Sequence, residues 1–208
     1  MAWLPSAQLS GEPRAAAMVG KPSHSIRREG ARVTLVVPAC AKVSDAPILV
    51  EMRDRIARWM ASRGIQQWDP GEFTVEQFTA QIVAAELFVV RSDDRLLAAV
   101  RLVWEDRLVW DDDPAAAGYI HGLMVDERGT GLGSRVLDWA ERRIFAQGCT
   151  VVRLDCVASN HRLRQYYRER GYVEVGRRDF HDRAWRPVMK FELRLRPELQ
   201  RIPSPPAQ

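Results

Sequence analysis

Apolar residues recur at helical spacing in two stretches of the first half of the chain. Residues 44–64 place apolar side chains three or four positions apart, and the pattern ends at Gly64. Residues 74–85 begin with Thr74 and Gln77, which have the spacing of a capping box, where each side chain hydrogen-bonds the backbone of the other residue. The pattern predicts one helix in each stretch.

The second half adds two predicted helices to a series of predicted strands. One helix follows a glycine-rich loop and ends at Gly148, and the other covers residues 160–170. Short runs of apolar and β-branched residues predict strands at residues 32–37, 86–92, 95–104, 118–125, 151–157, 172–178 and 186–195. Helices alternate with strands in the middle of the chain, and hairpins lie at both ends. This order predicts an α/β fold with a mixed sheet and helices on both faces.

The two ends of the chain lack this apolar periodicity. Residues 1–30 are rich in Gly, Pro, Ala and Ser, and residues 197–208 have a similar composition. Segments that cannot bury apolar surface stay disordered, so both are predicted to be disordered extensions. The domain itself is predicted to span residues 31–196, since a chain of 208 residues can form one domain with a sizeable core.

Composition and charge narrow the functional classes. The net charge of +4 is small and the basic residues are mixed with acids, so no nucleic-acid partner is expected. No apolar run approaches the roughly 20 residues that span a membrane, and the first residues do not form a secretory signal, so no membrane partner is expected. The three cysteines form no CxxC pair, which indicates a reduced, cytoplasmic setting. The four histidines have no metal-ligand spacing, so no metal is expected.

A glycine-rich stretch, "VDERGTGLGSRVLDW" (residues 125–139), separates a predicted strand from a predicted helix. The start of a helix presents unpaired N–H groups, and a loop without side chains lets a pyrophosphate approach them. The stretch lacks the Lys-Ser/Thr pair of a P-loop. Val136 stands where a dinucleotide motif starting at Gly131 needs its third glycine. Asp155 keeps the dinucleotide alternative open, because it follows at about the distance of a ribose-binding acid. A simple turn before a helix is the other alternative.

A second motif, together with the glycine-rich stretch, favours a different interpretation over these two alternatives. Arg128, Gly131 and Gly133 resemble the Arg/Gln-x-x-Gly-x-Gly/Ala signature of the GNAT superfamily of N-acetyltransferases. The stretch "DCVASNHRLRQYYRERGY" is similar to that family's second motif, an Asn after the next strand and then a Tyr four residues before a Gly-aromatic pair. The matching residues are Asn160, Tyr167, Gly171 and Tyr172. The resemblance covers residues 32–195 and implies the GNAT fold, a mostly antiparallel mixed sheet of about six or seven strands with helices on both faces.

The resemblance also implies a chemistry. The family moves the acetyl group of acetyl-coenzyme A (acetyl-CoA) to an amine. Tyr167 would be the general acid beside the thioester sulfur, and Asn160 would bind near the cofactor arm. The backbone of Leu123, Met124 and Val125 would pair with the pantetheine arm like a substitute strand. The pyrophosphate would be held by the backbone N–H groups of Arg128, Gly129, Thr130, Gly131, Leu132 and Gly133.

The turn before the signature is shorter than family members commonly have. Only Asp126 and Glu127 separate Val125, the last apolar residue of the strand, from Arg128. This spacing places these two acidic side chains near the expected position of the cofactor phosphates. The glycine amides are therefore expected to contribute more to phosphate binding than the Arg128 side chain does.

The base that takes the proton of the amine is open. His121 lies two residues before Leu123 in the strand beside the cofactor, and histidine side chains titrate near neutral pH. Strand alternation points His121 either to the cleft or to the core, so it is either the base or a structural residue. A water chain ending on Asp155, or a reaction without a protein base, are the alternatives. Tyr166 is the better candidate for core packing beside the acid.

The acceptor pocket is expected to form from the first two helices and the acidic stretch before residue 118. Acids and aromatic rings suit a cationic amine, although the same rings could fill the core and the same acids could solvate a loop. The candidates are Trp59, Trp68, Trp104, Trp110, Glu105, Asp106, Asp111, Asp112 and Asp113. The prediction is therefore an N-acetyltransferase, monomeric or homodimeric, that acts on a small-molecule amine. The alternatives are acetylation of a protein amine and a non-catalytic acyl-coenzyme A sensor or scaffold.

Overall fold

The computed structural model describes residues 37–111, 115–126, 129–181 and 185–195. The helices are α1 (Ala46–Ala61), α2 (Val75–Val83), α3 (Arg107–Trp110), α4 (Leu132–Ala146) and α5 (His161–Glu169). The strands are β1 (Ala39–Cys40), β2 (Leu87–Ser92), β3 (Arg95–Val103), β4 (Ala117–Val125), β5 (Val151–Val157), β6 (Val173–Arg178) and β7 (Val188–Arg194). Within these four ranges, no helix combines the length and the apolar character that crossing a bilayer requires.

The strands form one seven-stranded sheet in the order β1-β2-β3-β4-β5-β7-β6. Neighbouring strands run antiparallel except β4 and β5, which run parallel. A tight turn joins β2 to β3, and its Asp93 has a φ of 53°, a left-handed conformation that aspartate tolerates. This mixed, mostly antiparallel sheet confirms the predicted fold class.

Helices cover both faces of the sheet. Leu49 of α1 packs in one apolar cluster with Val89 of β2. Val136 and Ile144 of α4 pack in another cluster with Val90, the next residue of the same strand. Because successive side chains of a strand point to opposite faces, the two clusters lie on opposite sides of the sheet.

The parallel pair of strands separates part of the way along its length. Ala117 pairs with Val151, and the ladder continues to Ile120 and Leu154. Both strands then continue, but β4 keeps only β3 as its partner and β5 keeps only β7. One edge of β4 is therefore left without a strand partner beyond Ile120.

A bulge in β4 lies where this separation begins. His121 pairs with Arg101 of β3, whereas Met124 pairs with Ala99, so β4 carries one more residue than β3 between these pairs. Gly122 lies inside the bulge with a φ of 56°, which glycine adopts without a Cβ clash. The extra residue bends β4 away from the regular ladder at the point where the gap opens.

Two helix starts show how local sequence sets the fold. The predicted capping box of α2 is confirmed, because Gln77 N donates to Thr74 Oγ1 at 3.3 Å and Thr74 N donates to Gln77 Oε1 at 2.8 Å. α3 was not predicted from the sequence. Val109 N donates to Asp106 Oδ1 at 3.2 Å, so Asp106 caps this helix, whose four residues are too few to show a periodic pattern.

Several sequence predictions fall outside the described residues. They include the extension at residues 1–30, the tail at residues 197–208 and most of the strand at residues 32–37. Val37, the last residue of that predicted strand, is described and is not part of a strand. The first observed strand is β1, which pairs with β2.

Candidate active site

The glycine loop leads directly into α4. Gly129 and Gly131 have φ angles of 80° and 71°, left-handed values that favour glycine at both positions. Gly131 is the N-cap of α4. A Cβ on Gly133 would lie 3.4 Å from Val125 Cγ2, so the absence of a side chain lets the first turn pack closely against the end of β4. The loop is exposed at a helix N-terminus, where backbone N–H groups can meet an anion, while Arg128 lies outside the described residues.

Two arginines hold the start of α4 in place. Arg135 Nη1 donates to the backbone oxygen of Thr130 at 3.1 Å, so a cationic side chain lies against the loop. Arg170, which follows α5, donates to Ser134 Oγ at 2.6 Å and also binds Asp138 and Glu141. The N-terminus of α4 and the C-terminus of α5 are therefore fixed to each other.

A cavity of about 880 Å³ lies beside the unpaired edge of β4. β4 contributes Leu123 and Met124 to its wall, and α5 contributes Tyr166 and Tyr167. Val125, the third residue predicted to bind the cofactor arm, ends the same strand. The cavity therefore brings together two of the three residues predicted for the cofactor arm and the predicted general acid, whereas Val125 does not line it.

Tyr167 reaches this cavity from an aromatic cluster. Its ring centroid lies 5.4 Å from that of Phe191 and 5.8 Å from that of Tyr172, and its side chain is 8% exposed. Burial is the main reason why the pKa of Tyr167 lies above its ordinary value, and Cys156 and Asp155 raise the pKa further. A tyrosine hydroxyl group with the ordinary pKa of about 10 is already protonated at neutral pH, as a general acid requires, and the upward shift does not change this state.

Asn160 is the N-cap of α5. Leu163 N donates to Asn160 Oδ1 at 3.2 Å, and Asn160 Nδ2 donates to Gln67 Oε1 at 3.0 Å. Val157 N donates to the same Gln67 oxygen at 3.3 Å. The Asn160 side chain thus ties α5 to the loop between α1 and α2. Asn160 also lines the cavity, and its contact with the cofactor arm stays a prediction.

His121 lies between two carboxylates. Its Nε2 is 3.4 Å from Asp106 Oδ2, and its Nδ1 is 3.6 Å from Asp155 Oδ1. The three side chains are 22%, 10% and 18% exposed, respectively, so the group is largely shielded from water. Strand alternation left the direction of His121 open, and the structure places it in the cleft, where it lines the cavity with Asp155.

The two carboxylates differ in their pKa shifts. Burial is the largest single effect on the pKa of Asp106, and it raises that pKa. His121 and the hydrogen bonds that Asp106 accepts from backbone N–H groups lower it by more in total, so the pKa of Asp106 lies below its ordinary value. Burial raises the pKa of Asp155, His121 lowers it and Asp106 raises it again, so the net shift is upward. Two buried acids close together favour a cation between them. The group offers one ligand atom from each residue, within 4.8 Å of one another, to a divalent ion or an ammonium group.

A second cavity of about 570 Å³ adjoins the first. His121 and Asp155 line both cavities, so the two spaces meet at this group. Glu105 and Asp106, both predicted for the acceptor pocket, line the second cavity. Asp111 lines neither of the two. The position of the second cavity makes it the candidate acceptor pocket.

Two of the four tryptophans predicted for the acceptor pocket line a cavity, and two do not. Trp68 lines both cavities, and Trp59 lines the first. Trp104 lines neither and is 50% exposed, and Trp110 lines neither because it is buried in the core. The predicted acids at positions 112 and 113 lie outside the described residues.

The sequence pattern missed several residues that line both cavities. These are Arg53, Gln67, Phe73 and Arg101. One signal was available for Arg53, because it follows Leu49 by four positions and precedes Ile56 by three on the buried face of α1. A charged residue within an apolar stripe marks a special position. Gln67 and Phe73 lie in a loop, where no periodic pattern could single them out.

The sequence model of the "Acetyltransferase (GNAT) family" matches residues 53–172, more than half of the chain. The chain belongs to the GNAT family of acetyltransferases. The matched segment contains every predicted site residue, from His121 to Tyr167. Because the family uses acetyl-CoA as its acyl donor, the predicted family and cofactor are confirmed.

Individual relatives agree with this assignment. YesJ of Bacillus subtilis (strain 168), an N-acetyltransferase by name, is 38% identical over 150 residues, which cover 66% of this acetyltransferase and 82% of YesJ. A GNAT-family acetyltransferase from Listeria monocytogenes 4b F2365 has a TM-score of 0.64 at 22% identity, covering 77% of this chain and 95% of that one. The yncA structure from Salmonella typhimurium, solved with acetyl-CoA, has a TM-score of 0.57 at 13% identity, covering 77% and 94%. At these low identities, the two structures show the fold.

Proposed function

We propose that this acetyltransferase moves the acetyl group of acetyl-CoA to a primary amine of a small molecule by direct attack on the thioester. The observation that carries the proposal is the meeting of two cavities at His121 and Asp155, with Tyr167 in the wall of the first. A transferase for two substrates needs two adjoining spaces that share the reacting centre. Their volumes, about 880 and 570 Å³, lie in the range of small-molecule sites.

The described residues fit the acyl donor in two places. The free edge of β4 at Leu123 and Met124 offers backbone groups to the amides of a pantetheine arm. The exposed loop from Gly129 to Gly131 offers N–H groups at the start of α4 to a pyrophosphate. Acetyl-CoA supplies the thioester carbonyl that the amine attacks.

The group formed by His121, Asp106 and Asp155 serves the amine. Its two buried carboxylates attract an ammonium group, and His121 between them takes the proton that must leave before the nitrogen can attack. Asp106 and Asp155 are positioning residues here, because they act on the imidazole and on the charge of the amine. A water chain to Asp155 is the alternative route for the proton.

Tyr167 serves the leaving group. Its hydroxyl group lies in a buried aromatic cluster and carries its proton at neutral pH, as an ordinary tyrosine with a pKa of about 10 does, and burial raises its pKa further. It can donate that proton to the leaving thiolate as the carbon–sulfur bond breaks. The negative charge on this sulfur exists only late in the reaction. Cys156, in the neighbouring strand β5, is no competing nucleophile, because burial raises the pKa of its thiol to about 12.

The reaction is tested by following thiol release from acetyl-CoA with a panel of primary amines and identifying the acetylated products by mass spectrometry. We expect turnover of at least one small amine and none without an amine. If acetyl-CoA binds but neither small amines nor peptide amines are acetylated, the protein is an acyl-coenzyme A-binding module instead. Acetylation of peptides alone would replace the small-molecule acceptor by a protein.

The role of His121 is tested by His121→Gln, which keeps a polar side chain of similar size. General-base catalysis contributes about 10² to 10⁴-fold, so we expect kcat/KM to fall within that range while the Kd of acetyl-CoA changes little. The control is His161→Gln at the start of α5, which lies outside both cavities. Near-full turnover by His121→Gln would leave the route through Asp155 or a reaction without a protein base.

A further inference from the structure

Arg53 is a buried cation in the wall of both cavities. Its side chain is 7% exposed. Its guanidinium carbon lies 4.3 Å from the ring centroid of Trp68 and 4.3 Å from that of Phe73. Contacts with two aromatic rings restrict the plane of the guanidinium, which fixes the directions in which its N–H groups point.

The hydrogen-bonding capacity of Arg53 is only partly used. Its Nη2 donates to Glu72 Oε2 at 2.6 Å, and Glu72 itself is 41% exposed. Its Nε is buried and has no hydrogen-bond partner among the described residues. A guanidinium has five N–H groups, so donors remain besides the buried Nε–H and the one that Glu72 accepts from. Arg170 and Arg178 also have a buried Nε without a partner, but neither lines the cavities.

Two other cations that line a cavity, Arg101 and Arg186, are less buried and are paired with carboxylates. Arg101 binds Glu86 through its Nε at 2.8 Å and its Nη2 at 2.7 Å. Arg186 binds Asp69 at 2.9 Å. Arg53 therefore combines burial, contact with both cavities and an unused donor, which the other two cations do not.

Acidic and basic side chains occupy different positions around the junction of the two cavities. Asp155 and His121 provide a position for the ammonium group, whereas Arg53 and its neighbour in the wall, Arg101, provide positive charge. Arg101 pairs with His121 across β3 and β4, so both side chains belong to the same face of the sheet. A purely cationic acceptor would satisfy only one of these two positions.

We propose that the acceptor carries a carboxylate as well as the reacting amine, and that Arg53 binds this carboxylate. This inference rests on the proposed acetyl transfer and narrows its substrate class to amino acids in the broad sense. A carboxylate in the cavities can accept a charge-assisted hydrogen bond from a guanidinium N–H group that Glu72 does not occupy, with the guanidinium held in place by Trp68 and Phe73. The amine of the same molecule then reaches the group at His121.

The first experiment compares matched acceptors that differ only in the carboxylate. The pairs are glycine and methylamine, β-alanine and ethylamine, γ-aminobutyrate and propylamine, and L-phenylalanine and phenethylamine, each with saturating acetyl-CoA. A hydrogen bond to a charged group corresponds to about 10- to 100-fold in affinity, so we expect that advantage in kcat/KM, mainly through KM, for the acid of at least one pair. Equal or better use of the carboxylate-free member in every pair would overturn the inference.

The second experiment assigns the preference to Arg53. Arg53→Met keeps an apolar stem beside the two rings but removes all the donors, and Arg53→Lys keeps the charge without the planar guanidinium. We expect both variants to reduce the ratio of kcat/KM within the preferred pair towards one, with little change in the KM of acetyl-CoA. The control is Arg58→Met on the same helix, which is 63% exposed at its side chain and lines neither cavity. An undiminished ratio in folded Arg53→Met would overturn the assignment.

A binding measurement separates this inference from the proposed reaction and needs no variant. The unaltered protein, saturated with coenzyme A, is titrated calorimetrically with both members of each pair. Tighter binding of the acid without any turnover would support the carboxylate site and contradict the transferase. Turnover of amines with no preference for the acid in either binding or rate would support the transferase and contradict the carboxylate site.

Discussion

At the scale of single residues, the site depends on ionisable groups that are shielded from water. The pKa of Tyr167 is raised above its ordinary value, chiefly because the side chain is buried. Asp106 and Asp155 lie on either side of His121, and burial acts on the pKa of both. The pKa values of Tyr167, Asp106 and Asp155 are shifted by their surroundings, and such shifts cluster at functional sites.

Tyr167→Phe tests the general acid. The substitution removes the hydroxyl group and keeps the ring that packs on Phe191, so the fold is expected to survive. Because the leaving thiolate carries its charge only in the transition state, kcat and kcat/KM should fall together, by about 10²-fold, while the Kd of acetyl-CoA stays the same. Steady-state kinetics and direct binding check this. Tyr166→Phe is the control, and a loss of turnover in that variant alone would move the acid by one position.

Asp155→Asn tests the effect of burial on stability. The pKa of Asp155 is raised in the folded protein because burial disfavours its ionised form, so stability falls as the pH rises through the interval between the unfolded and folded pKa values. Above that interval the unaltered protein carries the whole penalty, and asparagine carries none. We expect Asp155→Asn to have the higher Tm at pH 7 and no advantage below about pH 3.9, the ordinary pKa of aspartate. A Tm difference that grows as the pH falls would contradict this sign.

The sequence revealed some of these residues and not others. Tyr167 could be singled out because it stands four residues before Gly171. His121 could be singled out because it lies two residues before Leu123 in a predicted strand. The contact between His121 and Asp106 could not, because a short helix that no periodic pattern predicts brings Asp106 to the site. Arg53 was visible only as a charge within an apolar stripe, which does not reveal the ligand it binds.

At the scale of elements, the end of β4 and the start of α4 form the part of the site that is proposed to hold the donor. Glycines mark both places, but for different reasons. Gly131 allows a left-handed turn into the helix, and Gly122 occupies a bulge. The sequence predicted the loop, since alternating glycines before an amphipathic helix are a local pattern. The bulge depends on the register with β3, which is a long-range property that no local pattern encodes.

Gly131→Ala tests the loop. Its φ of 71° is unfavourable for alanine, so the variant should lose about 1 to 2 kcal/mol of stability. The new methyl group should also impede the approach of a pyrophosphate, raising the Kd of acetyl-CoA about tenfold or more. Gly148→Ala, at the other end of α4 with a φ of 83°, is the matched control. It should lose similar stability with an unchanged Kd, and an unchanged Kd in Gly131→Ala as well would reduce the loop to a simple turn.

At the scale of the whole molecule, the site joins segments that lie far apart in the sequence. Gln67, in the loop after α1, bonds to Val157 and Asn160 at the end of β5 and the start of α5. The sheet brings these segments together, because β4 and β5 are adjacent and diverge. The fold could be predicted from two local motifs and the order of elements, and the same motifs supplied the residues proposed for the donor site. The candidate acceptor cavity could not be predicted, because its walls come from six separate elements, α1, β3, α3, β4, β5 and β7, and from the loops between them.

The thermal stability of the unaltered protein with acetyl-CoA, NAD or ATP tests the central claim most directly, namely that the glycine loop and the gap beside β4 form an acetyl-CoA site. A ligand at 100 times its Kd adds about 2.7 kcal/mol to the free energy of unfolding, which raises the Tm of a domain of this size by about 5 to 10 °C. We expect this rise with acetyl-CoA and no rise with NAD or ATP. A rise with NAD or ATP and none with acetyl-CoA would contradict the account.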